Sequence, residues 1–282
     1  MSAALPIGAK QLQPQLHAPT ISRLGENEKT NAKCENIFSR TVNIFSRTVN
    51  IFLNYVKQAD GLKATFKVIY HGADWWKQLF GAVPSNIQNL RKLTNDGKNV
   101  ISATEVPGKA FDIGRKLARV WKEKSLYSIK ELVSSASQIT GPLADGIKLA
   151  ADKKIIDLTP KALSQVGFIS NSGLAVGTTM SAYSEAKKVA SLYSGFQHAT
   201  SRRESRENAH QVAKHTFDGA RFGSYAALGT VGVTGTLLGI TFAPWVPLAF
   251  STGALFFTIV GHFYTKFNHL DEKTGDLASK KA

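Results

Sequence analysis

A chain of 282 residues, 43% hydrophobic and 20% charged, has the composition of a folded protein of one or two domains. Its single cysteine, Cys34, excludes an internal disulfide and a cysteine-built metal cluster, and a formal net charge of +15 favours acidic partners, nucleic acid or anionic lipid. The first ten residues lack a basic segment followed by an apolar one, so no cleavable secretory signal is predicted. Residues 1–35 hold Pro6, Pro14 and Pro19 among mixed charges without periodicity, the pattern of a disordered tail. A basic helical region is predicted over 36–200, and it opens on a repeat. Asn36–Val42 recurs letter for letter as Asn43–Val49 and begins again at Asn50. Seven residues is a heptad, and Phe38, Val42, Phe45, Val49, Phe52 and Val56 fall in alternating steps of four and three. On a helix this seam seeks a partner helix, in a second copy or elsewhere in the chain; a recent duplication of coding sequence would leave the same tandem copy.

From Leu53 to Phe80 the apolar spacing continues as a basic, aromatic-rich helix. Pro84, Pro107, Pro142 and Pro160 are predicted to punctuate further helices, since proline suits a first turn and breaks an interior one. Residues 61–130 carry thirteen basic and five acidic side chains, the densest positive surplus in the chain. Within it, Ile113, Leu117, Val120 and Trp121 form a narrow apolar stripe between Arg115, Lys116, Arg119, Lys122 and Lys124. Such a helix, Phe111–Lys124, is predicted to lie on an anionic bilayer, with Arg115, Lys116, Arg119, Trp121, Lys122 and Lys124 at the lipid surface. Ala162–Ser184 is uncharged but rich in Ser, Thr and Asn, which predicts a helix packed inside the bundle. Residues 201–221 read as a charged connector.

Phe222–Thr265 then runs for 44 residues without Asp, Glu, Lys or Arg. Two apolar segments, Phe222–Phe242 and Pro247–Tyr264, approach the roughly 20 residues that cross a bilayer, and Ala243–Val246 between them predicts the turn of a membrane hairpin. Gly223, Ala227, Gly235 and Gly239 place small residues on one stripe, a face for close helix packing. The residues before and after the hairpin are basic, so both arms are predicted on one side, with a polar tail over 266–282.

No catalytic or metal constellation emerges: His210 and His215 are five apart rather than four, and no nucleophile elbow or phosphate loop is present. No cofactor is predicted. Basic helices bearing Trp75, Trp76 and Trp121 could stack bases, but an adjacent membrane anchor makes lipid head groups the nearer partner.

The two-lobed apolar block, its tight turn and its flanking polar arms resemble the inclusion membrane proteins that chlamydiae secrete. That resemblance covers 222–265 and the tail. It implies a vacuole membrane with both arms in the host cytosol; a bacterial inner membrane is the alternative. A second likeness is local. Asp60, Gly61, Lys67 and Tyr70 are similar to the N-terminal segment of the peroxisomal membrane-elongation peroxins, although Leu62-Lys63-Ala64 stands where that family has Arg-Asp-Lys. It implies membrane remodelling by helix insertion. The expectation is an all-α helical bundle with a C-terminal two-helix transmembrane hairpin. Its function would be that of a non-enzymatic effector or scaffold, with lipid, an unidentified protein and further copies of itself as partners.

Overall fold

The computed structural model describes residues 43–197 and 201–268. They form seven helices, and no strand occurs among them. The chain divides into a unit up to Phe52 and a larger unit from Leu53. In the first, residues 43–52 belong to helix α1 (43–56), where Phe45, Val49 and Phe52 are exposed and Thr48 donates to the carbonyl of Ile44 at 2.8 Å. Phe38 and Val42 of the heptad seam, the predicted tail 1–35 and residues 269–282 lie outside the described residues.

The larger unit contains α2 (Ala59–Phe80), α3 (Ser85–Glu123), α4 (Leu126–Asp152), α5 (Pro160–Gln197), α6 (Arg202–Leu238) and α7 (Trp245–Phe267). Local chemistry sets several of these ends. Ser125 accepts from the Ser128 amide at 3.1 Å, Thr159 from that of Ala162 at 3.2 Å and Ser201 from that of Glu204 at 3.1 Å, each relieving an orphan donor of a first turn. Pro160 occupies a first helical position, where its missing N–H costs nothing. Helix α3 ends on Lys124 in the left-handed region, φ 46°. A Cβ disfavours that conformation by about 1 kcal/mol. Lys124→Gly is therefore expected to stabilise the fold by about 0.5–1 kcal/mol in denaturant titration.

Two prolines depart from the expected punctuation. Pro84 and Pro160 flank or open helices, but Pro107 and Pro142 lie inside α3 and α4. An interior proline strips the carbonyl four residues earlier of its partner. For Pro142 that carbonyl is Gln138, and Lys109 of α3 donates to it at 3.5 Å. A neighbouring lysine thus supplies what the helix cannot. The predicted connector 201–221 is also helical, because the Ser201 cap starts α6 within it.

Each helix packs on the next, and α7 returns to α2, so six helices close a ring. Neighbours run antiparallel: Ala103 faces Gly146 while Arg119 meets Glu131, and Asn171 faces Gly232 while Glu185 meets His215. An even number of helices lets every neighbour in the ring be antiparallel, including α2 and α7, joined by Trp75 Nε1 donating to Thr252 at 2.9 Å. Glycine sets the closest approaches. An added Cβ at Gly173 or Gly177 would strike Thr140 or Ser137 of α4, and at Gly229 would lie 2.5 Å from the Ala175 backbone nitrogen.

These glycines correct the predicted packing stripe. Gly223 faces open space, Gly239 is the left-handed cap of α6, and Gly235 meets only Ile240 and Phe242 just beyond its own helix. The α5 contact uses Gly229 and Gly232. Gly232 lies within one turn of Gly235, so the contact overlaps the C-terminal part of the predicted stripe, while Gly223 lies outside it.

Candidate functional site

Where the larger unit has its apolar side chains is unusual. Among its described residues seven hydrophobic ones are buried, and four of them are the alanines Ala64, Ala73, Ala144 and Ala254. One small cluster joins Tyr55, Ala64 and Leu255. By contrast Leu79, Phe80, Leu93, Phe111, Trp121 and Leu126 are among many large apolar side chains that are mostly exposed.

Polar groups take the interior. A cavity of about 510 Å³ is lined by side chains from all six ring helices, among them Lys67, Lys98, Thr140, Asp145, Ser170, Tyr225 and Ser251. It continues into a chamber of about 490 Å³ through shared walls at Lys63, Lys67, Lys109, Phe222 and Tyr225. At its other side it shares Tyr70, His71, Leu228 and Ser251 with a wider space of about 1140 Å³. Along α2 the three are lined in turn by residues 60–67, 63–71 and 70–78, so they follow one another down a single lumen.

Spacing explains why the lumen is polar. Asp60, Lys63, Lys67, Tyr70 or His71, Asp74 and Lys77 recur every three or four residues of α2, one stripe of a 3.6-residue helix. On α3, Arg91, Lys98, Glu105 and Lys109 lie seven, seven and four residues apart, again one stripe of the helix. These stripes meet in pairs. Arg91 donates to Asp74 at 2.6 Å and to the Tyr70 hydroxyl at 3.1 Å; Lys63 reaches Glu105 at 2.7 Å, Lys109 reaches the same carboxylate at 3.0 Å, and Lys98 lies 3.5 Å from Asp145. Lys67 differs. It donates to the Tyr225 hydroxyl at 3.2 Å and lies 5.3 Å from that ring's centre, but no carboxylate pairs with it among the described residues.

The outer faces are complementary. No exposed residue between Asp60 and Lys77 of α2, Lys92 and Arg115 of α3, Lys130 and Lys148 of α4, or Lys161 and Lys187 of α5 carries a formal charge. The same is true of α6 after Arg206 and of α7 before Lys266. On α2 to α5 these bands are about 24–38 Å long at 1.5 Å per residue, with charges at both ends. Among the described residues, helix α7 alone is long and apolar enough overall to cross a membrane. Its bounds, Trp245–Phe267, contain the predicted second span; the first is shortened, because α6 ends at Leu238 and the turn is 239–244 rather than Ala243–Val246. A two-helix transmembrane hairpin is thus reduced to one apolar helix beside a glycine-rich one.

The predicted lipid-surface helix is only partly free. Trp121 and Leu117 are exposed, as are Lys122 and Lys124, yet Lys116 holds Asp112 at 2.9 Å and Ser135 at 2.5 Å. Arg119 bridges Glu123 and Glu131 at 2.8 and 3.3 Å, and Arg115 lies 3.4 Å from Asp112. Three of its five cations therefore already face carboxylates, two of them tying α3 to α4. The pairs with Asp112 and Glu123 are three or four residues apart and were legible in the spacing; the ties to Glu131 and Ser135 were not, because those residues belong to the next helix.

His215, set aside on spacing, meets Glu185 of α5 at 2.5 Å beside Asp218. Lys188 occupies Glu185 at 2.7 Å and Arg221 occupies Asp218 at 3.3 Å, so the group is an ion-pair cluster joining α5 to α6. Compared with known proteins, the chain matches no protein family, and no curated protein or solved structure is significantly similar to it.

Proposed function

We propose that this is a non-enzymatic integral membrane protein in which six helices surround a hydrophilic lumen, with α7 as the most apolar wall. The observation that carries the reading is the inversion of polarity. Charges line the inside of the ring, while the outer bands are uncharged over lengths comparable to the roughly 30 Å of hydrocarbon in a bilayer. In water, seven buried apolar residues are a small core to offset the conformational entropy of six long helices. Lipid relieves both problems, since exposed Phe, Leu and Trp then lie in hydrocarbon and the backbone of helix interiors is bonded within each helix, apart from the carbonyls that Pro107 and Pro142 free.

Scaffolding follows from the same placement. The exposed seam residues Phe45 and Val49 would be available for a second copy or a protein partner, and a vacuole membrane, as the inclusion-protein resemblance implies, would present both arms to one cytosol. Surface insertion of the Leu53–Phe80 segment fits less well, because Lys63 and Lys67 point into the ring rather than toward head groups.

Six crossings return the chain to its starting side. We expect Cys34 and a cysteine placed at Ser279 to be labelled by a membrane-impermeant maleimide from the same face of sealed vesicles, with carbonate washing leaving the protein in the membrane. Labelling from opposite faces, or release by carbonate, rejects the reading.

A further inference from the structure

The lumen is narrowest in chemistry where its two smaller chambers meet. Lys63, Lys67 and Lys109 all line that junction, and one carboxylate, Glu105, serves two of them. Three positive charges against one negative leave an excess of two. Elsewhere in the two smaller chambers Lys98 is paired with Asp145 and Arg221 with Asp218, while Lys214 and Asp60 are one charge of each sign and leave the excess unchanged. Uncompensated charge away from bulk water is costly, and the cost is relieved by an opposite charge brought to the site.

A second observation points the same way. The hydroxyl of Tyr55, a residue only 5% exposed, has no hydrogen-bond partner and belongs to the wall of the chamber on one side of the junction. The buried Nε of Arg221 in that wall is also unpaired, and guanidinium nitrogen can only donate. A donor-rich wall with surplus positive charge calls for a ligand that brings acceptors and negative charge.

We propose that the junction at Lys63, Lys67, Lys109 and Tyr225 binds a small dianion presenting carboxylate or phosphate oxygens. Lys67 is its principal contact, because its ammonium has two donors beyond the bond to Tyr225 and no carboxylate to satisfy them. Chambers of about 490 and 510 Å³ on either side admit a small organic acid or phosphate ester as readily as the inorganic ion. The site rests on the membrane reading in one respect, that the lumen is the polar path through the belt; binding itself requires only the folded ring.

The test uses the full chain purified in detergent, unfolded thermally at constant ionic strength in sodium phosphate, sodium succinate or sodium chloride. A ligand that binds the folded state raises the midpoint in a saturable way. Phosphate or succinate is expected to do so and chloride not. Lys67→Met should weaken the effect at least tenfold, Lys67→Arg should largely retain it, and Lys124→Met should leave it unchanged. If Lys67→Met fails to fold, Lys109→Met takes its place with the same expectation. No saturable shift, or an equal shift in the Lys67 and Lys109 variants, overturns the site. Stabilisation by short-chain phosphatidylglycerol but by neither soluble dianion would reassign the chemistry to a lipid head group and overturn a soluble ligand. Carbonate extraction is read separately, so loss of the membrane reading with dianion binding intact is distinguishable from loss of the site.

Discussion

Gly229→Ala is expected to destabilise the fold by about 3 kcal/mol, while Gly223→Ala on the same helix stabilises it by up to about 1 kcal/mol. The contrast isolates packing from propensity. Both positions are interior to α6, where alanine is favoured over glycine by roughly 1 kcal/mol when nothing obstructs it. Around Gly223 no heavy atom lies within 4 Å of an added Cβ. At Gly229 the same methyl would sit 2.5 Å from the nitrogen of Ala175, 2.8 Å from the carbonyl oxygen of Asn171 and 2.9 Å from the Ala175 Cα. All three are backbone atoms of a 38-residue helix. They cannot swing aside as a side-chain tip could, so α5 must move as a body, at the upper end of the 1–3 kcal/mol typical of overpacking. Denaturant titration of both variants in detergent reads the difference. Equal effects would show that α5 and α6 do not meet through this face.

Legibility in the sequence was uneven, and the reasons are physical. The helical class was readable because the apolar residues of Leu53–Phe80 and of Ile113, Leu117, Val120 and Trp121 recur with the period of a helix. Helix α7 was readable because its whole circumference is apolar, so no rotation needs to be known. The ring was not. Amphipathic periodicity reports that α2 and α3 have two faces but is blind to which one points inward, and the ordinary assumption that apolar means inside is reversed here. Lys67 could have been singled out only by knowing that Lys63, Lys109 and Tyr225 share its neighbourhood, and the last of these is 158 positions away. Similarly, Gly229 and Gly223 both lie among small residues, and choosing between their faces required the position of Asn171. The interior prolines misled for a related reason, since a lysine of one helix supports the carbonyl freed in another.

If the outer face of α7 meets lipid, as proposed, the double substitution Phe250→Asp with Phe256→Asp removes the protein from membranes. Both phenylalanines are exposed on α7, at 36% and 58%, and neither belongs to the cluster of Tyr55, Ala64 and Leu255. Phe256 lies near the middle of the uncharged Trp245–Thr265 stretch and Phe250 less than two turns from it. An aspartate at the centre of a membrane helix costs about 2.5–3.5 kcal/mol, and each phenylalanine lost forfeits a further few tenths. Two replacements therefore oppose insertion by about 6 kcal/mol, some four powers of ten in the equilibrium. If these faces instead met water, the same change would leave stability nearly untouched, as exposed substitutions usually do. Leu255→Ala separates fold from membrane. It is buried, 5% exposed, and its truncation should cost about 2–5 kcal/mol of stability while leaving the inserted fraction high. The carbonate-resistant fraction of the three proteins, with helicity measured on each, decides the matter: a double aspartate variant that stays in the membrane would mean that the outer face of α7 does not contact lipid.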